Sequence, residues 1–328
     1  MKYFLQEIAE DGQKLNKNGK VRRDFEAVLK SMGFVEVAIP QAPSVNLGAY
    51  RNIRDNFEFF REGDVLIVQL PLTTSAAILR RLFKSLSRRG VRTFLVVRDL
   101  DIILEGNKSY WKHCEGVIVQ NEKTAMELIK QKVDVDKIIP LDLTDYLIPD
   151  SISGSCGEYG LKEPVIISGK LTREEAGYIY RLPDNCRFRL YGQKYEGQID
   201  DHILAGGSYD PDDLPFMLKG SFGLVWDGPT PMTCLGIAGE KMKISDPYQL
   251  SLYLASGLPV IVWSESAIAD FVIQKGCGFT VSSLVEIGYR IKSMSEKTYK
   301  NMRRNAEDIG IPLRDGCYIR VAMNKILK

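Results

Sequence analysis

ISDPYQLSLYLASGLPVIVW, residues 244–263, is the stretch whose reading decides the fold. Asp246 and Pro247 read as a helix start, because Asp accepts from free backbone N–H groups and Pro at the first helical position has no N–H to lose. The helix then begins at Tyr248. Leu250, Leu252, Tyr253 and Leu254 are mixed with the small residues Ser251, Ala255 and Ser256, which predicts burial on nearly every side. Gly257 supplies the left-handed residue of a short turn. Residues 258–262 are wholly apolar, the pattern of a strand buried on both faces. A helix N-terminus that follows a polar, Gly-rich loop favours an anion, because unpaired N–H groups and the helix dipole both attract negative charge. Phosphate is the first choice.

Outward from that stretch, short strands rich in β-branched residues alternate with helix-length segments. In the first half they fall at residues 2–6, 35–39, 65–69, 93–97, 116–119 and 137–140. In the second half they fall at 165–168, 188–191, 203–205, 222–226, 259–263 and 278–281. Such alternation predicts a parallel, doubly wound α/β sheet in each half. Between the halves, residues 147–164 are dense in Ser, Gly and Pro and carry no sustained period, which marks a linker. No internal repeat relates the two halves. Past the last strand, residues 295–308 and 316–328 read as two helices separated by GIPLRDG.

Composition bounds the function. The chain has 328 residues, 45% hydrophobic and 26% charged, long enough for two cores. Lysine plus arginine (44) nearly balances aspartate plus glutamate (42), which gives no case for nucleic acid as the main partner. No window reads as a signal peptide or a membrane span, so a cytoplasmic protein is expected. Six widely spaced cysteines, Cys114, Cys156, Cys186, Cys234, Cys277 and Cys317, point to reduced thiols, and two histidines make a His/Cys metal site improbable.

Several strand ends carry candidate chemistry. After the first strand comes EDGQKLNKNGKVRRDFEAVLKSMG, a polar loop at the edge where ligands of doubly wound sheets bind. It holds no G-x-G-x-x-G, so the dinucleotide fingerprint is absent. The third strand ends in QLPLTT, residues 69–74. The fourth ends in Arg98-Asp99, where Asp99 reads either as a general base or as half of a structural salt bridge. Residues 76–89, AAILRRLFKSLSRR, put Ile78, Leu79, Leu82, Phe83 and Leu86 on one face and Arg80, Arg81, Lys84 and Arg88 largely on the other. That pattern fits an anionic membrane contact, or simply a surface helix with a solvated basic face. In the second half, Ser168-Gly169-Lys170 ends a strand and leads to Arg173, a fork for phosphate oxygens or an exposed arginine. Tyr209 precedes a helix-start loop and is placed to stack on a base. Residues 228–243 are too long for a tight connection and read as a lid.

DPYQLSLYLASGLPVIVW (246–263), SAIADFVIQKGCGFTVSSLVEI (266–287), FGLVWDG (222–228) and GDVLIVQLP (63–71) together resemble bacterial GT-B glycosyltransferases. Within them, the likeness is to the glucosyltransferases that extend N-acetylglucosamine on serine-rich-repeat adhesins, with the galactofuranosyltransferases nearby. The resemblance covers most of the chain. It implies two doubly wound Rossmann-like domains facing a central cleft. Residues 1–150 would be an acceptor-binding domain, 151–310 a nucleotide-sugar-binding domain, and 311–328 a C-terminal helix crossing back to the first. For UDP it implies Asn16, Lys17 and Gly19 in the first loop, together with Arg173, Tyr209 and the helix start at Tyr248, Gln249, Leu250 and Ser251. For the acceptor it implies Gln69, Pro71, Leu72, Thr73 and Thr74. It also implies homo-oligomers, dimers or tetramers, and no metal or prosthetic group. The sequence departs from the family where lysine is usual and Gln249 stands, and where His-Asp is frequent and Arg98-Asp99 stands. Lys241 or Lys243 on the lid would restore the missing positive charge, and Asp99 is left as the base.

The reaction expected from the resemblance is transfer of glucose from UDP-glucose to a protein-linked N-acetylglucosamine. Galactofuranosyl transfer in cell-surface polysaccharide synthesis is a second reading. A weakened subunit that binds UDP-sugar or glycan and supports a partner enzyme is a third, and a nucleotide-sugar epimerase of the same architecture is a fourth. A dehydrogenase lacks its glycine fingerprint.

Overall fold

A computed structural model describes residues 1–9, 12–15, 19–44, 47–98, 101–102, 111–148 and 157–328. The chain divides into two compact units, Met1–Asp142 with Tyr318–Lys328, and Leu143–Cys317.

The first unit is built on a six-stranded parallel sheet of β1 (Lys2–Ile8), β2 (Val35–Pro40), β3 (Val65–Leu70), β4 (Arg92–Val97), β5 (Gly116–Val119) and β6 (Ile138–Pro140). Its strand order is β2-β1-β3-β4-β5-β6. Because β1 pairs with β2 on one side and β3 on the other, the winding reverses between β1 and β3. Their carboxyl ends flank the crevice where such sheets take ligands. The helices α1 (Gly19–Ser31), α2 (Leu47–Asp55), α3 (Ala76–Arg88) and α4 (Glu122–Lys130) connect the strands. The apolar face of α3 buries the five residues that its spacing predicts, Ile78, Leu79, Leu82, Phe83 and Leu86.

The second unit repeats the architecture with β8 (Val165–Lys170), β9 (Phe188–Gln193), β10 (Ile203–Gly207), β12 (Gly223–Val225), β13 (Val260–Trp263) and β14 (Gly278–Val281). They are ordered β10-β9-β8-β12-β13-β14 and all parallel. The remaining strands, β7 (Glu158–Tyr159) and β11 (Lys219–Gly220), form a separate parallel pair. Here the reversal lies between β8 and β12. All twelve strands expected from the sequence are present.

The helices of this unit are α5 (Leu214–Met217), α6 (Gly236–Met242), α7 (Tyr248–Ala255), α8 (Ala269–Lys275), α9 (Val285–Ser293) and α10 (Glu296–Arg314), and the chain ends in α11 (Cys317–Ile326). Six of the eight residues of α7 are buried, which explains why its sequence shows little sidedness. Gly257, at φ +73°, turns the chain from α7 toward β13. At the other end Pro247 is itself the cap residue, at φ −61° and ψ 136°, and its ring offers no group to cap the turn. Proline takes the cap position rather than the first helical one expected, and Asp246, directly before it, is buried.

The break expected at GIPLRDG is also absent. Helix α10 continues through Pro312 to Arg314. Proline's missing N–H frees only the carbonyl of Asp308, an exposed residue whose carbonyl water can satisfy. Gly310 serves close packing instead: a Cβ there would lie 2.2 Å from the Leu254 carbonyl oxygen of α7. Among the described residues no helix is long and apolar enough to cross a membrane. Among the described residues, Cys114, Cys186, Cys234, Cys277 and Cys317 form no disulfide with one another, and Cys156 lies outside the described residues.

Candidate functional site

The two switch points are built differently. In the second unit, β8 ends in Ser168-Gly169-Lys170 and β12 runs into Trp226-Asp227, and between them opens a hollow of about 370 Å³. Ser168, Gly169, Asp227, Pro247 and Gln249 line it. An outer hollow of about 680 Å³ shares Gly169, Lys170 and Glu175 with it and extends past Tyr191 and Gln193 to Tyr209. Each falls in the size range of nucleotide and small-ligand sites, ~300–1,000 Å³.

Backbone conformation and one buried tyrosine hold this edge. Gly169 is at φ +137°, and a Cβ there would lie 3.3 Å from the side-chain Nε2 of Gln249, so the Gln249 side chain reaches the S-G-K turn. Tyr253, one turn further along α7, is fully buried. Its hydroxyl accepts from the Ser168 amide at 2.9 Å and lies 2.8 Å from Ser168 Oγ. Burial drives its phenol well above the ordinary range, so it stays neutral. The sequence-predicted helix start is thus tied to the predicted S-G-K turn. Tyr248 and Gln249 are partly exposed, whereas the Leu250 and Ser251 side chains are buried. The Leu250 amide donates to the Pro247 carbonyl at 3.0 Å. Tyr248 stacks on Tyr146 with ring centroids 5.0 Å apart.

The remaining predicted residues are dispersed. Tyr209 lines the outer hollow. Arg173 lines neither hollow: its guanidinium sits 4.1 Å from the Tyr180 ring centre and 3.9 Å from Glu196. On the lid, Lys243 pairs with Glu240 at 3.0 Å and Glu265 at 3.6 Å and lies over Trp263. Lys241 acts electrostatically on Asp227.

Asp227 was visible in the sequence only as part of a loop. Burial, with a smaller contribution from Glu175, raises its carboxyl above the ordinary range, against the pull of the Gly228 N–H and Lys241. One oxygen accepts from Gly228 N at 2.7 Å. A half-buried carboxylate held in a cleft in this way is the kind of group that functional sites retain.

At the first unit's switch point the central group is Glu7, which sequence reasoning missed. It is 0% exposed. Its carboxylate accepts from Thr73 N at 2.6 Å, Thr74 N at 2.7 Å and Thr74 Oγ1 at 2.6 Å, and so fastens the loop after β3 to β1. Below it, the Arg22 guanidinium donates to the Gln69 carbonyl and lies 3.9 Å from Glu26. Burial lowers the Arg22 pKa and raises that of Glu26. The Gln69 side chain is buried against Glu26 and Arg22, and Thr74 is buried on Glu7. Pro71, Leu72 and Thr73 are the partly exposed part of the loop. Gly19 opens α1 at φ +49°. Asn16, Lys17 and Asp99 lie outside the described residues. Arg98 sits over the Phe25 ring at 5.0 Å. The signal that would have found Glu7 is a charged residue inside KYFLQEI, an otherwise buried strand.

Two domain families cover nearly all of the chain. The glucosyltransferase 3-like N-terminal domain matches residues 2–143 and the C-terminal domain matches residues 165–326. The chain belongs to the glucosyltransferase 3-like family. This glucosyltransferase 3-like protein is 30% identical over 272 residues to the β-1,6-galactofuranosyltransferase WbbI of Escherichia coli K12, covering 80% of this chain and 79% of that one. It is 23% identical to glucosyltransferase 3 of Streptococcus parasanguinis, covering 79% and 77%. Among solved structures, Anabaena HepE in complex with UDP superposes with a TM-score of 0.60 at 10% identity, covering 99% of both chains. An α-glucosyltransferase in complex with UDP gives 0.61 at 10% identity, covering 100% and 99%. The fold is GT-B, and the family makes the chain a hexosyltransferase.

Proposed function

We propose that this protein transfers a hexosyl group from a uridine diphosphate hexose to a hydroxyl of a glycan acceptor. The observation that carries the proposal is the joined pair of hollows at the β8/β12 switch point, with the α7 N-terminus opening onto it. The first amides of a helix have no intrahelical acceptors, and the cap residue here, Pro247, has no side-chain acceptor for those of Tyr248 and Gln249. A diphosphate at Gly169 and Gln249 would take those amides. Its uridine would extend into the outer hollow toward Tyr209, and its hexose would lie in the inner hollow beside Asp227. As the anomeric bond to the diphosphate oxygen breaks, charge grows on that oxygen, where the helix start and Lys170 stabilise it. The acceptor hydroxyl forms the new bond to the anomeric carbon and gives up its proton, for which Asp99 is the candidate base. In the first unit, Pro71, Leu72 and Thr73 are the residues proposed to meet the acceptor, on the loop that Glu7 fastens.

For the donor, the higher identity to the E. coli enzyme, 30% against 23%, favours galactofuranose. UDP-glucose is the second reading, supported by the two streptococcal relatives. Incubating the purified chain with each UDP-hexose, with and without N-acetylglucosamine-terminated or galactose-terminated acceptors, separates the classes. Acceptor-dependent UDP release supports transfer. Interconversion of the free UDP-hexose without acceptor would replace transfer by epimerisation. Binding without turnover would leave a supporting subunit.

A further inference from the structure

Helix α3 carries a ridge of cations. Arg80, Lys84 and Arg88 follow at four-residue intervals, which places them in one row on the helix surface, with Arg81 beside them. All four are exposed. Their apolar opposite face is in the core, so the row points outward. The short helix Trp111–His113 adds exposed Lys112 to the same patch. Proximity is recorded at His113, whose imidazolium is disfavoured first by burial and then by the charges of Lys84, Lys112 and Arg88. Among the described residues, no carboxylate lies within ion-pair distance of Arg80, Arg81, Lys84, Arg88 or Lys112. By contrast, Arg54, Arg92 and Lys130 in the same unit each have at least one. In a chain of net charge +2, five such cations on one patch are a local concentration, not a reflection of the whole.

We infer that this patch docks the protein on an anionic lipid surface. The row lies on the convex outside of a helix about 20 Å long, and none of its cations lines a described hollow. A convex row suits a planar field of headgroups, whereas a single phosphate ligand calls for a concave site. Long Lys and Arg side chains reach such a plane while their stems lie along the helix. The attraction acts within a Debye length, so it is ionic-strength dependent.

The test is sedimentation of the full chain with sucrose-loaded vesicles of phosphatidylglycerol and phosphatidylcholine, against phosphatidylcholine alone. Binding to the anionic vesicles only, released by added salt, is expected. The triple variant Arg80→Gln/Lys84→Gln/Arg88→Gln is expected to lower the partition coefficient by about 100-fold. A control triple, Lys297→Gln/Lys300→Gln/Arg304→Gln, removes equal charge from exposed positions of α10 and should bind as the unmodified chain does. All these side chains are exposed, and an unchanged melting temperature confirms that both variants fold. The inference is overturned if anionic vesicles are not bound, if neutral vesicles are bound equally, or if both triples weaken binding alike. It is also overturned if heparin or an acidic peptide is retained where vesicles are not.

Discussion

Half-buried Asp227 and fully buried Glu7 stand at the two switch points, and their environments set them apart. Three donors satisfy Glu7. Removing its charge by Glu7→Gln weakens the clamp on Thr73 and Thr74, at a cost of about 1–3 kcal/mol. The measurable split is a raised KM for acceptor with unchanged UDP affinity. Asp227 has one backbone donor and a carboxyl pushed upward by burial. The folded state therefore holds the proton more tightly than the unfolded state does, and stability is lost as pH rises through the ordinary carboxylate range and beyond it. Asp227→Asn should raise the melting temperature at neutral pH by about 1–3 °C, a gain that vanishes in acid, while lowering kcat with UDP-hexose. Gln249 gives the opposite case. Gln249→Lys places a charge at the proposed diphosphate site and should tighten UDP about tenfold or more, in a salt-dependent way, since charged hydrogen bonds are worth about 1.5–3 kcal/mol. Unchanged UDP affinity in calorimetry would separate Gln249 from the diphosphate.

At the scale of elements, α7 is held on both sides: its Tyr253 hydroxyl meets Ser168, and its Leu254 carbonyl faces Gly310 of α10. Gly310→Ala forces a methyl group to within 2.2 Å of that oxygen. It should destabilise the protein by about 1–3 kcal/mol, read as a lower denaturation midpoint. The strands were legible because a parallel sheet buried on both faces needs nearly continuous apolar runs rich in β-branched residues, as in VLIVQL and VIVW. The continuity of α10 was not legible. Gly and Pro carry the same local signal whether they end a helix or sit where a neighbour's backbone approaches and a carbonyl faces water. The S-G-K turn and the start of α7 were likewise readable as local motifs. Their juxtaposition was not, because Ser168 and Tyr253 are 85 residues apart in the chain. Arg173 shows the same limit, since its partner Tyr180 was invisible to a motif reading.

For the whole molecule, the division of the chain makes a thermodynamic prediction. Tyr318–Lys328 belongs to the first unit although it follows the second in sequence. Helix α11 buries Ile319, Ala322, Met323 and Ile326, and the Ile326 carbonyl accepts from Arg92 at 2.9 Å. Deleting residues 318–328 should lower the calorimetric transition of the first unit and leave the UDP-stabilised transition of the second in place. A single transition shifted as a whole would show that the two units unfold together. The central claim is that the first turn of α7 and the S-G-K turn grip the diphosphate of a UDP-sugar. Backbone hydrogen exchange of the full chain with and without UDP tests it most directly. The account predicts slowed exchange at Gly169, Lys170 and the amides of Tyr248 and Gln249. Saturating UDP that leaves those amides unprotected, or protects only amides elsewhere, would contradict it.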